Sequence, residues 1–313
     1  MDISPHQDTM MVTHARTLLL ALAAALIASV SLSAQKTFDK RFDVAPGGHL
    51  RLDSDVGSVD VVGGAGHEVV IHAEAIGSDD FLAHLNITAE QASSGVTVTG
   101  RQARESWFNW FDSGEKRVHF TIDVPRDYSI ELRTSGGDLD VRSVSAPVRG
   151  TTSGGNIVVR DVTGSVKMHT SGGNIDAERI NGTTELGTSG GNVSVTDTKG
   201  SDLDAHTSGG DIRLKNIDGS VRADTSGGSV HAEIRSNHGI SLSTSGGTIN
   251  LLLPEDVSAS VDASTSGGRV SSALPFSSTE TADPSHLRGA IHGGGQQVVL
   301  HTSGGSIHLG PLT

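Results

Sequence analysis

The chain has 313 residues, contains no cysteine and carries a formal net charge of −13 at pH 7. Without cysteine it can form neither disulfides nor thiolate metal sites. The acidic balance argues against nucleic acid and anionic membrane surfaces as partners.

The first 34 residues have the features of a secretory signal peptide. An apolar run over residues 17–30 follows Arg16 and precedes Ser31, Ser33 and Ala34, small residues typical of a cleavage region. The run is shorter than the roughly 20 residues of a membrane span. We expect an exported protein, periplasmic or at the cell surface, with no stable membrane span in the mature chain. A retained N-terminal anchor is the alternative.

Residues 35–130 contain irregularly spaced runs in which apolar and polar residues alternate, as they do in β-strands. The apolar pairs and triplets are Leu50/Leu52, Val59/Val61, Val69/Ile71, Val96/Val98 and Phe120/Ile122/Val124. We predict an irregular β region that leads into the repeats that follow and covers their first exposed strand edge. A separate small β-sandwich is the alternative.

An aromatic cluster interrupts this region. Trp107, Phe108, Trp110 and Phe111 lie close together in the sequence and have basic residues on both sides. Aromatic and arginine side chains together are typical of contact surfaces. The cluster therefore predicts a partner-binding loop, for an envelope glycan or a surface protein. A loop that folds back as a hydrophobic plug is the alternative.

Residues 131–313 are built from a repeat. The block Thr-Ser-Gly-Gly occurs nine times, and the spacing of its first eight copies is nearly constant. A short fixed period indicates one structural unit that is stacked on itself. The blocks begin at Thr134, Thr152, Thr170, Thr188, Thr207, Thr225, Thr244, Thr265 and Thr302.

One unit, residues 152–169, shows how the repeat folds. Ile157 and Val159 alternate with polar or outward residues after the glycines, and Val166 and Met168 do so before the next threonine. Two short strands and two glycine turns in each unit predict an all-β parallel β-solenoid, similar to a β-helix or β-roll. An antiparallel sandwich of hairpins is the alternative, but it does not explain the constant register. We expect the extra residues of longer units in turns at residues 236–239 and 254–256.

The repeated polar residues point to architecture. Nine equivalent serines cannot each have a base and an oxyanion site, so we predict no nucleophile among them. The threonines fall on the buried parity, and we expect stacked hydroxyls that satisfy turn backbone groups. Asn156, Asn174 and Asn192, with Asp138 and Asp211, follow the glycines and predict a ladder of side-chain amides along one edge.

Metal sites are not indicated. A calcium roll has coils of the same length, but here the carboxylate that would bind calcium in each turn is missing. His169, His206 and His301 share the position before the threonine, yet His169 and His206 are two coils apart, about 10 Å at the spacing of strands. We predict no catalytic residue, no cofactor and no metal site.

Two places break the repeat near the C-terminus. Residues 275–295 are an insertion rich in glycine, which predicts a mobile loop before the last coil. Residues 306–309 would then form a terminal coil with an exposed strand edge, and this edge suggests a self-assembling envelope filament.

The sequence resembles the bacterial putative-adhesin family of exported β-strand-repeat proteins over residues 38–310. The resemblance lies in Gly-Gly-His-Leu-Arg-Leu from Gly47, Gly-Ser-Val-Asp-Val from Gly57, Val-Pro-Arg-Asp-Tyr from Val124 and the repeated Thr-Ser-Gly-Gly-(Asn/Asp)-Ile. The resemblance implies the solenoid fold and offers no catalytic motif to transfer.

We therefore predict a non-catalytic exported envelope protein, an adhesin-like β-solenoid that binds or scaffolds. Two alternatives remain at this point: a polysaccharide-degrading β-helix enzyme and a self-assembling filament.

Overall fold

Each repeat forms one coil of a parallel β-solenoid. The computed structural model describes residues 34–103, 116–200 and 202–312, and residues 35–313 form one compact unit. Strands that end at the threonine of each block pair in parallel from coil to coil and form the pre-turn sheet; strands that follow the glycines do the same and form the post-turn sheet. The predicted parallel stacking is confirmed, and the antiparallel sandwich is wrong for the repeats.

Residues 34–125 contribute strands to both sheets. β2 and β6 belong to the pre-turn sheet, and β3 and β7 belong to the post-turn sheet. The elements are β1 (Ala34–Asp43), β2 (His49–Ser54), β3 (Ser58–Gly64), β4 (Glu68–Gly77), α1 (Asp79–His84), β5 (Leu85–Ala92), β6 (Gly95–Gln102) and β7 (Arg117–Pro125). β2 with β3 and β6 with β7 thus form two coils of the same stack.

The regular coils follow without interruption of the ladders. Their strands are β8 (Ser129–Thr134), β9 (Leu139–Val144), β10 (Val148–Thr152), β11 (Ile157–Thr163), β12 (Val166–Thr170), β13 (Ile175–Asn181), β14 (Thr184–Thr188), β15 (Val193–Lys199), β16 (Leu203–Thr207), β17 (Ile212–Thr225) and β18 (Val230–Thr244). β17 and β18 each run from the post-turn sheet into the pre-turn sheet. The extra residue of β18 lies between Asn237, which pairs with Gly219, and Ile240, which pairs with Val221. Its place within 236–239 is as predicted, but the predicted turn is wrong, because the backbone there stays extended.

The C-terminal strands are β19 (Ile249–Leu253), β20 (Ala259–Thr265), β21 (Val270–Ser272), β22 (Ser278–Asp283), β23 (His286–Ile291), β24 (Gln296–Thr302) and β25 (Ile307–Pro311). Residues 254–256 lie in the turn between β19 and β20, as predicted. The predicted loop over 275–295 is wrong in part, because this segment contains the antiparallel pair β22 and β23, and β23 pairs with β20. Pro284 and Ser285 form the turn of this hairpin.

The order of coils in the stack differs from their order in the chain. The last coil, β24 and β25, lies between the coil of β18 and β19 and the coil of β20 and β21. The first coil, β2 and β3, likewise lies between the coil of β6 and β7 and that of β8 and β9. Both chain-terminal coils are therefore held from two sides.

The exposed edge predicted at residues 306–309 is wrong for this reason. β25 pairs with β19 on one side and with β21 on the other. The outer pre-turn strands are covered by antiparallel partners instead, β5 on β6 and β23 on β20. β22 is polar, with Thr279, Glu280 and Asp283, and polar edge strands oppose edge-to-edge association. The structural basis offered for a filament is thus absent at this segment.

The core is a set of apolar columns between the two sheets. The inward side chains of successive coils are almost wholly buried, as in the column Leu139, Ile157, Ile175, Val193, Ile212 and Val230. In the described residues, the buried polar side chains are Ser54 and a set of threonines, and no charged side chain is among them. Charged residues therefore lie on the outside of the coils.

The second glycine of each block lets neighbouring coils approach closely. A Cβ atom added to Gly173 would lie 2.0 Å from the carbonyl oxygen of Gly155 in the adjacent coil, a distance that no real Cβ atom tolerates. The first glycine is much less confined, since a Cβ on Gly172 would lie 3.7 Å from its nearest neighbour. The two glycines of a block consequently have different structural roles.

Candidate binding surfaces

The buried threonines form a hydrogen-bonded ladder through the stack. Thr170 donates to the Gly155 carbonyl oxygen of the adjacent coil at 2.8 Å and accepts from its own Gly173 N–H at 3.3 Å. All nine block threonines make the first of these bonds; the acceptors of Thr134, Thr152, Thr170, Thr188, Thr207, Thr225, Thr244, Thr302 and Thr265 are Gly57, Gly137, Gly155, Gly173, Gly191, Gly210, Gly228, Gly247 and Gly305. The predicted stacked hydroxyls are confirmed.

The ladder of asparagines is present but has different partners from those expected. The Asn156 Oδ1 atom accepts from the backbone N–H of Asn174 at 2.9 Å, and Asn174 Oδ1 accepts from Asn192 N–H at 2.8 Å. Asp138 and Asp211 take the same role at the two ends of this run. The bonds run from side chain to backbone, not from amide to amide, so the ladder orders the turns.

The histidines before the threonines are held apart by the stack. Gly187 lies between His169 and His206 in the pre-turn sheet, so one coil separates the two histidines, as predicted. Within residues 34–103, 116–200 and 202–312, no group of three or more His, Asp or Glu side chains is arranged to hold a metal ion. Among the same residues, no helix is long and apolar enough to cross a membrane.

The aromatic cluster of Trp107, Phe108, Trp110 and Phe111 lies outside the described residues, as does most of the predicted signal peptide. The described residues on either side are Ala103, after β6, and Lys116, before β7. Arg101 on β6 donates to Asp53 and Asp55 at 3.0 and 3.1 Å. The hydrogen bond from Arg101 is the main cause that lowers the pKa of Asp53 below its ordinary value.

The other end of the loop begins at Lys116, whose ammonium group lies 5.9 Å from the ring centre of Phe81 in α1. This helix is capped by Ser78, whose hydroxyl accepts from the Phe81 N–H. The described residues on the two sides of the cluster therefore contact the first coil, through Asp53, and α1, through Phe81.

A second surface feature lies where the post-turn strands bend. In each of five successive coils, one residue has a left-handed backbone conformation there, with φ values of 54 to 61°. The residues are Ser143, Asp161, Arg179, Asp197 and Asn216, and none is glycine. This conformation costs a residue with a side chain about 1 kcal/mol. The bend turns the following residues inward, so that Val162 and Ile180 are buried.

Two adjoining cavities lie along this bend and form what we call the corner groove. A cavity of about 350 Å³ is lined by Arg179, Ile180, Asn181, Asp197, Lys199 and Asn216. A cavity of about 750 Å³ is lined by Thr196, Asp197, Lys215, Asn216, Glu233, Arg235, Pro254 and Leu312. The two cavities share Asp197 and Asn216 in their linings and lie along strands β13, β15, β17 and β18. Sequence reasoning missed this groove.

The fold defines the class of protein: a parallel β-solenoid with an apolar interior and polar outer columns. The chain belongs to the Toastrack DUF4097 family, whose model matches residues 49–310. This match confirms the family resemblance expected from the sequence.

Similar solved structures include a putative adhesin from Parabacteroides distasonis and another from Parabacteroides merdae. Each is 12% identical, with 88% of this chain and 97% and 96% of the other chain covered, at TM-scores of 0.47 and 0.44. Comparison with curated proteins finds no match.

Proposed function

We propose that this chain is an exported, adhesin-like protein of the cell envelope that binds a partner without catalysing a reaction. The observation that carries the proposal is the division between interior and surface. The threonine hydroxyls of the interior are committed to turn backbone groups, while charged side chains of the described residues lie outside. The charged groups that a partner could contact therefore lie on the outer surface of the coils, where a binding partner can reach them.

Three surface carboxylates of the described residues have lowered pKa values. The pKa values of Asp53, Asp161 and Asp283 are lowered, and in each case the first cause is a hydrogen bond from an adjacent side chain, of Arg101, Arg179 and Ser285 respectively. Catalytic groups more often owe a shifted pKa to burial in a cleft beside a charge partner. These carboxylates are stabilised in their charged form at the surface.

We propose the loop of Trp107, Phe108, Trp110 and Phe111 as the main contact with the partner, an envelope glycan or a surface protein. Support comes from its composition and from its position in the chain between β6 and β7. Aromatic side chains dominate the binding energy of many interfaces because they remove much apolar area from water.

The test is to replace both tryptophans, Trp107→Ala and Trp110→Ala, and to measure binding of the labelled protein to isolated envelopes. We expect binding to weaken by about tenfold or more, the effect typical of two interface aromatics, with an unchanged circular dichroism melt. Val299→Ala, which truncates an apolar side chain that is 42% exposed on β24, is the control and should bind normally. Unchanged binding by the tryptophan variant would remove the loop from the proposal.

Catalysis is tested separately with a panel of envelope polysaccharides. The proposal expects no turnover by the purified protein. Turnover that disappears on replacement of a single carboxylate would overturn the non-catalytic role and favour the polysaccharide-degrading alternative.

A further inference from the structure

The outer face of the pre-turn sheet carries a column of charged side chains, one from each coil. In the order of the stack, and with each residue in register with the next, the column runs Arg51, Glu131, Arg149, Lys167, Glu185, Asp204 and Arg222. All of these residues are exposed or half-buried. The next two positions, Ser241 and Val299, are uncharged. We call the charged part, from β2 to β17, the charge column.

Two steps of the charge column bring like charges together within one chain. Arg149 is in register with Lys167, and Glu185 is in register with Asp204. Like charges directly opposite each other on neighbouring strands are destabilising. Lys167 and Glu185 pair with each other, at 2.6 Å between Nζ and Oε1. Arg149 and Asp204 make no ion pair or side-chain hydrogen bond within residues 34–103, 116–200 and 202–312. They are three strands apart, about 14 Å, so they cannot pair with each other in one chain.

The charge column is self-complementary about a point between β12 and β14. Positions at equal distance on the two sides of this point carry opposite charges: Lys167 and Glu185, then Arg149 and Asp204, then Glu131 and Arg222. A two-fold axis through this point, parallel to the strands, lays a second copy antiparallel on the face. Each of these charges then lies opposite a charge of the other sign in the partner. A two-fold axis along the stack would instead set each charge of the column against its own copy.

The columns on either side of the charge column fit the same arrangement. On one side, in register, lie Asp53, Arg133, Thr151, His169, Gly187, His206 and Asp224. The axis places Arg133 opposite Asp224 of the partner, and His169 opposite Gly187, which has no side chain. On the other side the outward residues of β8 to β17 are mostly small and uncharged: Ser129, Pro147, Ser165, Thr183, Asp202 and Ser220. Among these described residues, no two like charges face each other directly across the contact.

We propose that the outer face of the pre-turn sheet binds a second copy of this chain, in an antiparallel dimer whose two-fold axis lies between β12 and β14. The dimer pairs Arg149 of each copy with Asp204 of the other, so both unpaired charges gain a partner. Lys167 and Glu185 of the two copies form a cluster of four alternating charges at the axis, and such networks contribute more than isolated surface pairs. This interface goes beyond the proposed function, because it concerns a sheet face and not the tryptophan loop.

The size of the face predicts a reversible dimer. Strands β10, β12, β14 and β16 have five residues each. The eight strands from β2 to β18 that face each other across the axis cover roughly 600 Å² in each copy, at the usual strand spacing and rise per residue. Stable interfaces bury about 800 Å² per partner, and smaller ones belong to transient complexes. We therefore expect a dissociation constant in the micromolar range, with monomer and dimer in exchange.

The test is sedimentation velocity of the purified protein from about 1 to about 200 μM in about 150 mM NaCl, where the net negative charges of two copies are screened beyond about 8 Å. We expect the average mass to rise with concentration from monomer to dimer. Arg149→Glu and Asp204→Arg, made in separate chains, should each weaken the dimer by about tenfold or more, the equivalent of roughly 1.4 kcal/mol, because each sets like charges opposite each other at two places. An equimolar mixture of the two variants should recover dimers, because every changed charge then faces an opposite charge.

Arg269→Glu and Asp256→Arg are the matched controls, since they make the same charge changes at exposed residues in turns away from this face. Each should alter the dissociation constant by less than about twofold. A protein that stays monomeric at the highest concentration, assemblies larger than a dimer, variants that behave like their controls, or a mixture that recovers no dimer would overturn the proposal. Trp107→Ala with Trp110→Ala should dimerise normally, so failure of the loop proposal and failure of this one are distinguishable.

Discussion

Gly173→Ala should destabilise the protein by about 3 kcal/mol, near the upper end of the cost of overpacking. The added Cβ would lie 2.0 Å from the Gly155 carbonyl oxygen and 2.4 Å from its carbon. Both atoms belong to the backbone of the adjacent coil, which is fixed by pairing of β11 with β13, so no side chain can move to make room. Chemical denaturation measures the change.

Gly172→Ala is the matched control in the same turn. Its Cβ would lie 3.7 Å or more from the nearest atoms, which is ordinary van der Waals contact. We expect a change of less than about 0.5 kcal/mol, because removal of a glycine also restricts the unfolded chain. Equal destabilisation by the two substitutions would contradict the close approach of coils at the second glycine.

Thr170→Val should lower the free energy of unfolding by about 2 kcal/mol, the cost typical of leaving buried polar groups without a hydrogen-bond partner. Valine has nearly the shape of threonine but cannot replace its hydroxyl, which donates to Gly155 and accepts from the Gly173 N–H. The substitution deprives these two turn backbone groups of a partner at a position that is 0% exposed. Unfolding in urea tests this.

Thr198→Val is the same change at a position where the hydroxyl is not used. Thr198 is 5% exposed and occupies a column otherwise formed by residues such as Ile180 and Ile217. Its hydroxyl has no hydrogen-bond partner among the described residues. We expect valine to stabilise the protein by about 1 kcal/mol, since a buried unsatisfied group is removed. The same sign of effect at Thr170 and Thr198 would contradict the assigned role of the ladder.

The coil itself could be predicted from the sequence because each unit repeats the same pattern of alternating apolar and polar residues around a Thr-Ser-Gly-Gly block. Alternation placed Ile157 and Val159 inward, and the constant period fixed the parallel register of β11 with β13. The parity of Thr170 predicted its buried hydroxyl. Periodicity reports which face a residue occupies, and these features depend on that alone.

The order of coils could not be predicted, because all the blocks are compatible with one another. Thr302 carries the same block as Thr265, so nothing local distinguishes the coil that follows β18 in space. The bends were also missed, because no glycine marks them and Ser143 and Arg179 stand at the positions that Asp161, Asp197 and Asn216 occupy in other coils. The corner groove follows from these bends and from side chains of four coils, and no single unit of the sequence contains it.

The most direct test of the account is cross-linking between columns of the pre-turn sheet. The chain has no cysteine, so introduced pairs are unique probes. Ser243 pairs with His301, and His301 pairs with Ser264, which puts Ser243 and Ser264 two strands apart, about 10 Å. A short bifunctional thiol reagent should join Ser243→Cys to His301→Cys and fail to join Ser243→Cys to Ser264→Cys. Efficient linkage of the second pair without the first would show that the coils stack in chain order, and would contradict the interleaved parallel solenoid.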